Sequence, residues 1–305
     1  MIHPGKPTNY QASLLMNALW QKATDAIARW TRIPVLGNFI SEGLLGGTSC
    51  TWIPVNKQLE AAQSTTLPAE MMKDLVRRSS HRTILRDCPC RQGCGCEDYP
   101  RDLGCIFLGD ATKDMDPSYA KHATVEEALA HIDRAVEAGL PGTVGHVPFD
   151  ALMTGVEPIT HFLTICFCCS CCCIIMRNGM AYDDFSVRQK KFFSLDGVSV
   201  DISKDDCTGC WSCVEECFVG AISNVDGVAT IDKQICKKCG LCIQHCPVEA
   251  ISIKVDAPDE MEKSLYDRIS CVDISSTLPG KKVNTTARNQ APHPRKLFPG
   301  PEKDL

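Results

Sequence analysis

The chain has 305 residues, a formal net charge of −5, 44% hydrophobic residues and 21 cysteines. That length suits one large domain or two medium ones with a packed core. The slightly acidic balance argues against a nucleic-acid binder, which carries a basic excess.

The N-terminal stretch MIHPGKPTNYQASLLMNALW lacks the basic, apolar and small-residue regions of a secretory signal. A cytoplasmic location is therefore expected, with the cysteines as thiols or metal ligands rather than disulfides. Their odd count and tight clusters favour metal. No membrane span is expected, since no run reaches about 18–20 apolar residues. The nearest run, FLTICFCCSCCCIIM at 162–176, owes its apparent hydropathy to cysteine.

Residues 10–30 read as an amphipathic helix. Leu15, Leu19, Ala23, Ala26, Ile27 and Trp30 lie near one face, and Pro34 limits its extension. Core packing or docking on a partner subunit fits it better than a membrane surface, because its polar face has few cations. Residues 1–60 are read as this helix plus a docking segment.

Residues 61–190 are read as a cysteine-rich iron–sulfur domain, mainly helical or irregular. The first cysteine group is CPCRQGCGCEDYPRDLGC, with Cys88, Cys90, Cys94, Cys96 and Cys105. The second is CFCCSCCC, with Cys166, Cys168, Cys169, Cys171, Cys172 and Cys173. Neither has a standard cluster spacing. Between them, Thr124 and Glu127 form a T-x-x-E capping box ahead of Val125, Ala128, Leu129, Ile132 and Val136 at helical spacing, and Gly139 ends the pattern. One helix and two short loops would bring the groups together. Adjacent thiols carry oxidation risk without packing gain, so the groups are expected to meet around iron and sulfide. Zinc is the competing metal, and some of the eleven thiols can serve as small buried hydrophobes. Cys50 and Cys271 are isolated and read as ordinary thiols. Arg91 either offsets cluster charge or is a solvated or salt-bridged arginine. His122, His131, His146 and His161 are read as structural.

The next segment, 191–256, contains CTGCWSCVEEC at 207–217 and CKKCGLCIQHCP at 236–247. Both are C-x2-C-x2-C-x3-C, the bacterial run for [4Fe–4S] clusters, in which the fourth cysteine serves the other cluster. Cys207, Cys210, Cys213 and Cys246 are expected to hold one cluster, and Cys236, Cys239, Cys242 and Cys217 the other. Val198, Val200 and Ile202 alternate as a strand does, Asp226-Gly227 marks a turn, and 248–253 reads as a closing strand. Residues 198–255 thus resemble a bacterial-type two-[4Fe–4S] ferredoxin domain. Pro247 follows Cys246 as that family's pattern expects, but Phe218 follows Cys217. The N-terminal cysteines joined to such a domain resemble those of long ferredoxin-like proteins of anaerobic bacteria. That resemblance implies iron–sulfur electron transfer and nothing narrower.

Residues 257–305 are read as a polar helix over 258–270 and an extended, proline-rich tail from 276 that could wrap a partner. The fold class expected is α+β: short antiparallel strands and two short helices in the ferredoxin part, joined to the cysteine-rich domain. No G-x-G-x-x-G or G-x-x-x-x-G-K-[ST] motif offers an internal electron source. The expected role is therefore relay of single electrons within a larger complex with a flavoprotein or another iron–sulfur subunit. Two ferredoxin-type clusters and at least one further cluster would serve it; eleven thiols suffice for two, or for a non-cubane cluster. The alternative is a catalytic reductase subunit with an open iron and disulfide-type chemistry. A sensor or scaffold role is a third reading.

Overall fold

The computed structural model describes residues 35–54, 68–179 and 191–277, with scattered positions between 19 and 33. Most of the helix expected over 10–30, and the tail beyond 277, lie outside the described residues. Leu19 and Trp30, assigned from sequence to the apolar face, are 55% and 58% exposed.

After helix α1 (Leu36–Leu45), seven strands form one sheet. They are β1 (Ser49–Ile53), β2 (Arg82–Leu85), β3 (Ile106–Leu108), β4 (Ala120–His122), β5 (Gly142–His146), β6 (Leu163–Phe167) and β7 (Phe192–Ser194). The order is β4-β2-β3-β6-β5-β1-β7, antiparallel except for the β1–β7 pair. The sheet runs across the segment limits expected at 60 and 190.

This corrects the expectation of a mainly helical or irregular cysteine-rich domain. The strands escaped notice for physical reasons. They span only three to five residues, and the central ones are buried on both faces, so polar and apolar residues do not alternate. Alternation appears instead between two cores. Ile106, Leu108, Leu163 and Ile165 face one core, while Phe107 and Phe162 face the other. Gly145 lets β1 lie close against β5: a Cβ there would sit 2.3 Å from the Ser49 carbonyl oxygen and 2.6 Å from the Cys50 Cα.

The first core receives α2 (Pro68–Arg78) and α4 (Val125–Glu137) through Met71, Met72, Leu75, Ala128, Ile132 and Ala135. The capping box expected at the start of α4 is present in both directions. The second core is closed by α5 (Pro148–Thr154) through Ala151. A short helix α3 (Pro89–Cys94) carries the first cysteine group.

The C-terminal part pairs β8 (Val198–Ile202) with β11 (Ile251–Val255), and β9 (Ile222–Val225) with β10 (Val228–Ile231). The closing strand starts three residues beyond its expected position at 248. Asp226 and Gly227 form the hairpin turn with φ of 53° and 86°, the left-handed pair a tight primed turn requires. Short helices α6 (Ser212–Glu215) and α7 (Leu241–Gln244) follow the cysteine loops. Val198, Val200, Ile251 and Ile253 belong to the same core as the sheet residues, so one apolar interior joins the two parts. Helix α8 (Pro258–Ile269), close to the 258–270 expected, clamps the join. Tyr266 donates to Asp74 at 2.7 Å, and Arg268 pairs with Asp196 at 2.9 Å while lying over the Phe193 ring.

Candidate metal centres

In the C-terminal part, Cys207, Cys210, Cys213 and Cys246 line one hollow of about 20 Å³. Cys217, Cys236, Cys239 and Cys242 line a second of about the same volume. Each hollow takes three thiols from one repeat and the fourth from the other. The two crossing cysteines have matched surroundings. Ala221 donates its backbone N–H to Cys217 Sγ at 3.3 Å, and Ala250 donates to Cys246 Sγ at 3.2 Å.

The hollows differ in exposure. Cys210 is exposed, and the Ser212 backbone N–H lowers its pKa. Burial pushes Cys239 up to about 12 and Cys242 well above its ordinary value. Such thiols stay protonated until a cation takes their charge, so binding releases protons.

The N-terminal cysteines sort into groups that mix the two sequence stretches. Pro89 opens α3 between Cys88 and Cys90, and a left-handed Gly95 ends it before Cys96. The second stretch leaves β6 and curls back, with Cys173 N–H donating to the Cys169 carbonyl at 3.1 Å. This curl sends its thiols to opposite sides. The sulfurs of Cys96, Cys169, Cys171 and Cys172 lie within 4.8 Å of one another, with Cys96 and Cys171 at 3.7 Å. On the other side, Cys88 meets Cys90, Cys90 meets Cys173, and Cys173 meets Cys168. The Cys90 contact first, and burial second, push the Cys88 thiol well up. These four line a cavity of about 130 Å³.

Three cysteines stand outside both fours. Cys105 and Cys166 face each other with sulfurs 2.9 Å apart. Cys94 is exposed and accepts from Arg177 Nη1 at 3.5 Å. The two stretches lie together in space, although β3, β4, α4, β5 and α5 lie between them rather than one helix and two loops.

Arg91 is 0% exposed. It donates to the Phe167 carbonyl at 3.1 Å and to the Leu103 carbonyl, while its Nε has no hydrogen-bond partner among the described residues. Burial lowers its pKa, but charge on Cys88 and Cys169 outweighs that and raises it. Cys88 is in one four and Cys169 in the other, so the guanidinium stands near both; its burial sets the solvated reading aside. The histidines take other partners. His122 meets His81 at 2.8 Å, His131 the Gly104 carbonyl at 2.8 Å, and His161 the Ser276 hydroxyl at 3.1 Å. His146 lies buried against the Phe162 backbone.

The Cys96 four is gathered tightly enough to hold a soft metal, and the Cys88 four brings thiols of both stretches to one cavity, a donor set that suits a soft metal or an iron–sulfur group. The buried, unpartnered Arg91 Nε beside two of these thiols fits an additional acceptor there.

Sequence reasoning passed over Trp52. It is fully buried in one apolar cluster with Cys168, Cys173, Met176 and Leu241, against which Phe218 and Cys239 pack. Its ring centroid is 5.0 Å from that of Phe218, the residue that departs from the ferredoxin pattern. Ser170 also donates to Glu216, beside Cys217, at 3.1 Å. The only early signal for Trp52 was a β-forming run, TWI, far from any cysteine group.

Residues 206–251 match the family described as "4Fe-4S dicluster domain". A 33-residue stretch is 58% identical to a "Probable ferredoxin" of Methanosarcina thermophila. The match covers 10% of this chain and 57% of that relative's length. The class of domain is therefore plain: the chain carries a ferredoxin-type 4Fe–4S domain. No described helix is long and apolar enough to cross a membrane.

Proposed function

We propose that the chain is an electron-transfer subunit of a larger redox complex, working between its ferredoxin-type domain and further iron–sulfur centres in the N-terminal region. Trp52 is the observation that carries this reading. The buried ring shares one apolar cluster with Cys168 and Cys173 of one N-terminal four and with Leu241, Phe218 and Cys239 of the second ferredoxin hollow. A pair of unrelated metal sites would need no such shared apolar joint.

Bound [4Fe–4S] groups supply one-electron oxidation and reduction. The residues do the rest. Cys207, Cys210, Cys213 and Cys246 hold the outer site, where exposed Cys210 brings it to the surface for a partner. Cys217, Cys236, Cys239 and Cys242 hold the inner site. Trp52, Phe218 and Leu241 keep water out of the gap beyond it. Cys88, Cys90, Cys168 and Cys173 form one N-terminal ligand set, and Cys96, Cys169, Cys171 and Cys172 another. Arg91 balances thiolate charge between them.

The donor or acceptor outside the chain is a flavoprotein or another iron–sulfur subunit, because no nucleotide motif supplies one within it. The thiol content fits a reducing cytoplasm and an oxygen-poor setting. The cavity of about 130 Å³ beside Cys88, Cys90, Cys168 and Cys173 favours one second reading. In it, that set leaves a site open to a small substrate and the chain is a catalytic reductase subunit.

Metal and sulfide analysis of anaerobically purified protein tests the proposal. Four full sets predict about 16 irons per chain at four per set, against about 8 for the ferredoxin domain alone. Cys168→Ser together with Cys169→Ser should remove the excess and leave the ferredoxin EPR signals. Iron at or below about 8, or zinc in the N-terminal sets, defeats the reading.

A further inference from the structure

Cys105 and Cys166 stand outside both N-terminal fours, yet their sulfurs make a close contact, at 2.9 Å. Two thiolates on one tetrahedral metal ion, each about 2.3 Å from it, sit roughly 3.8 Å apart. The observed contact is shorter than that. The contact sets the two sulfurs face to face at the end of the paired strands.

The backbone explains the approach. Strands β3 and β6 pair with Ile106 opposite Ile165 and Phe107 opposite Thr164. Continuing that register by one residue sets Cys105 opposite Cys166. Directly opposed residues on antiparallel strands have Cα atoms about 4.5–5.5 Å apart. A disulfide needs roughly 4.4–6.8 Å. The bond can therefore form and open without moving the strands.

Both residues are also held by further pairing. Cys166 lies opposite Thr143 of β5, and the Cys105 carbonyl accepts from the Leu85 N–H at 2.9 Å. Both thiols line the cavity of about 130 Å³, which they share with Cys88, Cys90, Cys168 and Cys173.

We propose that Cys105 and Cys166 form a reversible dithiol–disulfide couple fed by the chain's own iron–sulfur centres. The inference rests on the proposed function, and it adds a two-electron station at the end of a one-electron path. In the reducing direction the Cys105–Cys166 S–S bond breaks. It would take up two electrons, which bound iron–sulfur groups would supply one at a time, and two protons from water reaching the cavity. Two thiols result. In the other direction the same thiols release two electrons and two protons as the bond re-forms. The cavity would admit a small disulfide to exchange with the reduced pair.

The test uses intact, anaerobically purified holoprotein poised at a series of potentials. Thiols are then alkylated under denaturing conditions, and linked peptides are mapped by mass spectrometry. The expected result is a Cys105–Cys166 link at oxidising poise and two alkylated thiols at reducing poise. The transition should follow a two-electron slope, tenfold per about 30 mV. When fully oxidised protein receives electrons in steps, the link should open while reduced-cluster EPR signal falls short by two electrons per link. Cys105→Ser and Cys166→Ser should each abolish the link and leave iron content unchanged.

Absence of the link at every potential overturns the proposal. So does loss of iron in either variant, which would make these cysteines ligands. Iron analysis of the same samples keeps the two readings apart: iron at about 8 per chain sinks the N-terminal clusters whatever the linkage shows.

Discussion

Arg91 carries a permanent charge at a position with no solvent exposure. Burying an uncompensated ion costs several kcal/mol, so a buried arginine requires partners. Two are carbonyls, of Phe167 and Leu103. The sulfurs of Cys88 and Cys169 lie nearby, and as thiolates they would favour the charged guanidinium against the effect of burial. The sequence placed the arginine directly after Cys90 but left its role open, since adjacency along the chain does not say which side a guanidinium faces. A positive charge beside a centre favours its more negative, reduced form. Arg91→Gln, which keeps hydrogen-bonding capacity and removes the charge, should therefore lower the potential of the N-terminal centres. We expect a fall of roughly 60 mV or more, the one-electron equivalent of a tenfold change, with the ferredoxin potentials unmoved. EPR-monitored titration measures both together. Unchanged N-terminal potentials in a variant that keeps its iron would show that the charge does not reach the centres.

At the level of elements, the legible parts were those whose determinants are local. The capping box of α4 involves residues three apart, the Asp226-Gly227 turn involves two neighbours, and the ferredoxin repeats keep their spacing within a dozen residues. The sheet was not legible. Strand β5 is GTVGH, whose two glycines read as loop until β1 is seen lying against them. The grouping of thiols was hidden for a related reason: Cys96 and Cys171 are 75 positions apart, and only the path through β5 and β6 decides which side each thiol of the run faces. Gly145 tests the β5 argument. Its φ is not in the left-handed region, so alanine is acceptable to the local backbone, but the new Cβ would press on main-chain atoms of Ser49 and Cys50 that cannot rotate away. Gly145→Ala should cost about 1–3 kcal/mol, as overpacking does, seen as a lower denaturation midpoint of the holoprotein. An equal or higher midpoint would mean that β1 and β5 separate easily, against the burial of every β5 residue.

Across the described residues the apolar interior is continuous from the sheet to the ferredoxin-type domain, and cysteines of the candidate sets lie along it. Trp52 sits where that continuity matters most. It reaches β1's buried face from a strand that also pairs with β5 and β7, so the sheet fixes its position. Its ring meets that of Phe218 in the apolar cluster that holds Cys168, Cys173 and Leu241. Replacing it with leucine keeps the site apolar but leaves part of the volume empty, at a cost of a few kcal/mol by analogy with other large-to-small core changes. The cysteines on both sides remain, so iron content should hold. Passage of electrons across the joint should slow, because the filled path is opened. Trp52→Phe, which restores a ring against Phe218, should recover most of the rate. The measurement is freeze-quench EPR after rapid photoreduction at the exposed, Cys210-bearing site, following the N-terminal signals in time. Equal rates in wild type and Trp52→Leu, at equal iron content, would show that electrons reach the N-terminal centres by another route, such as the Ser170–Glu216 contact beside Cys217.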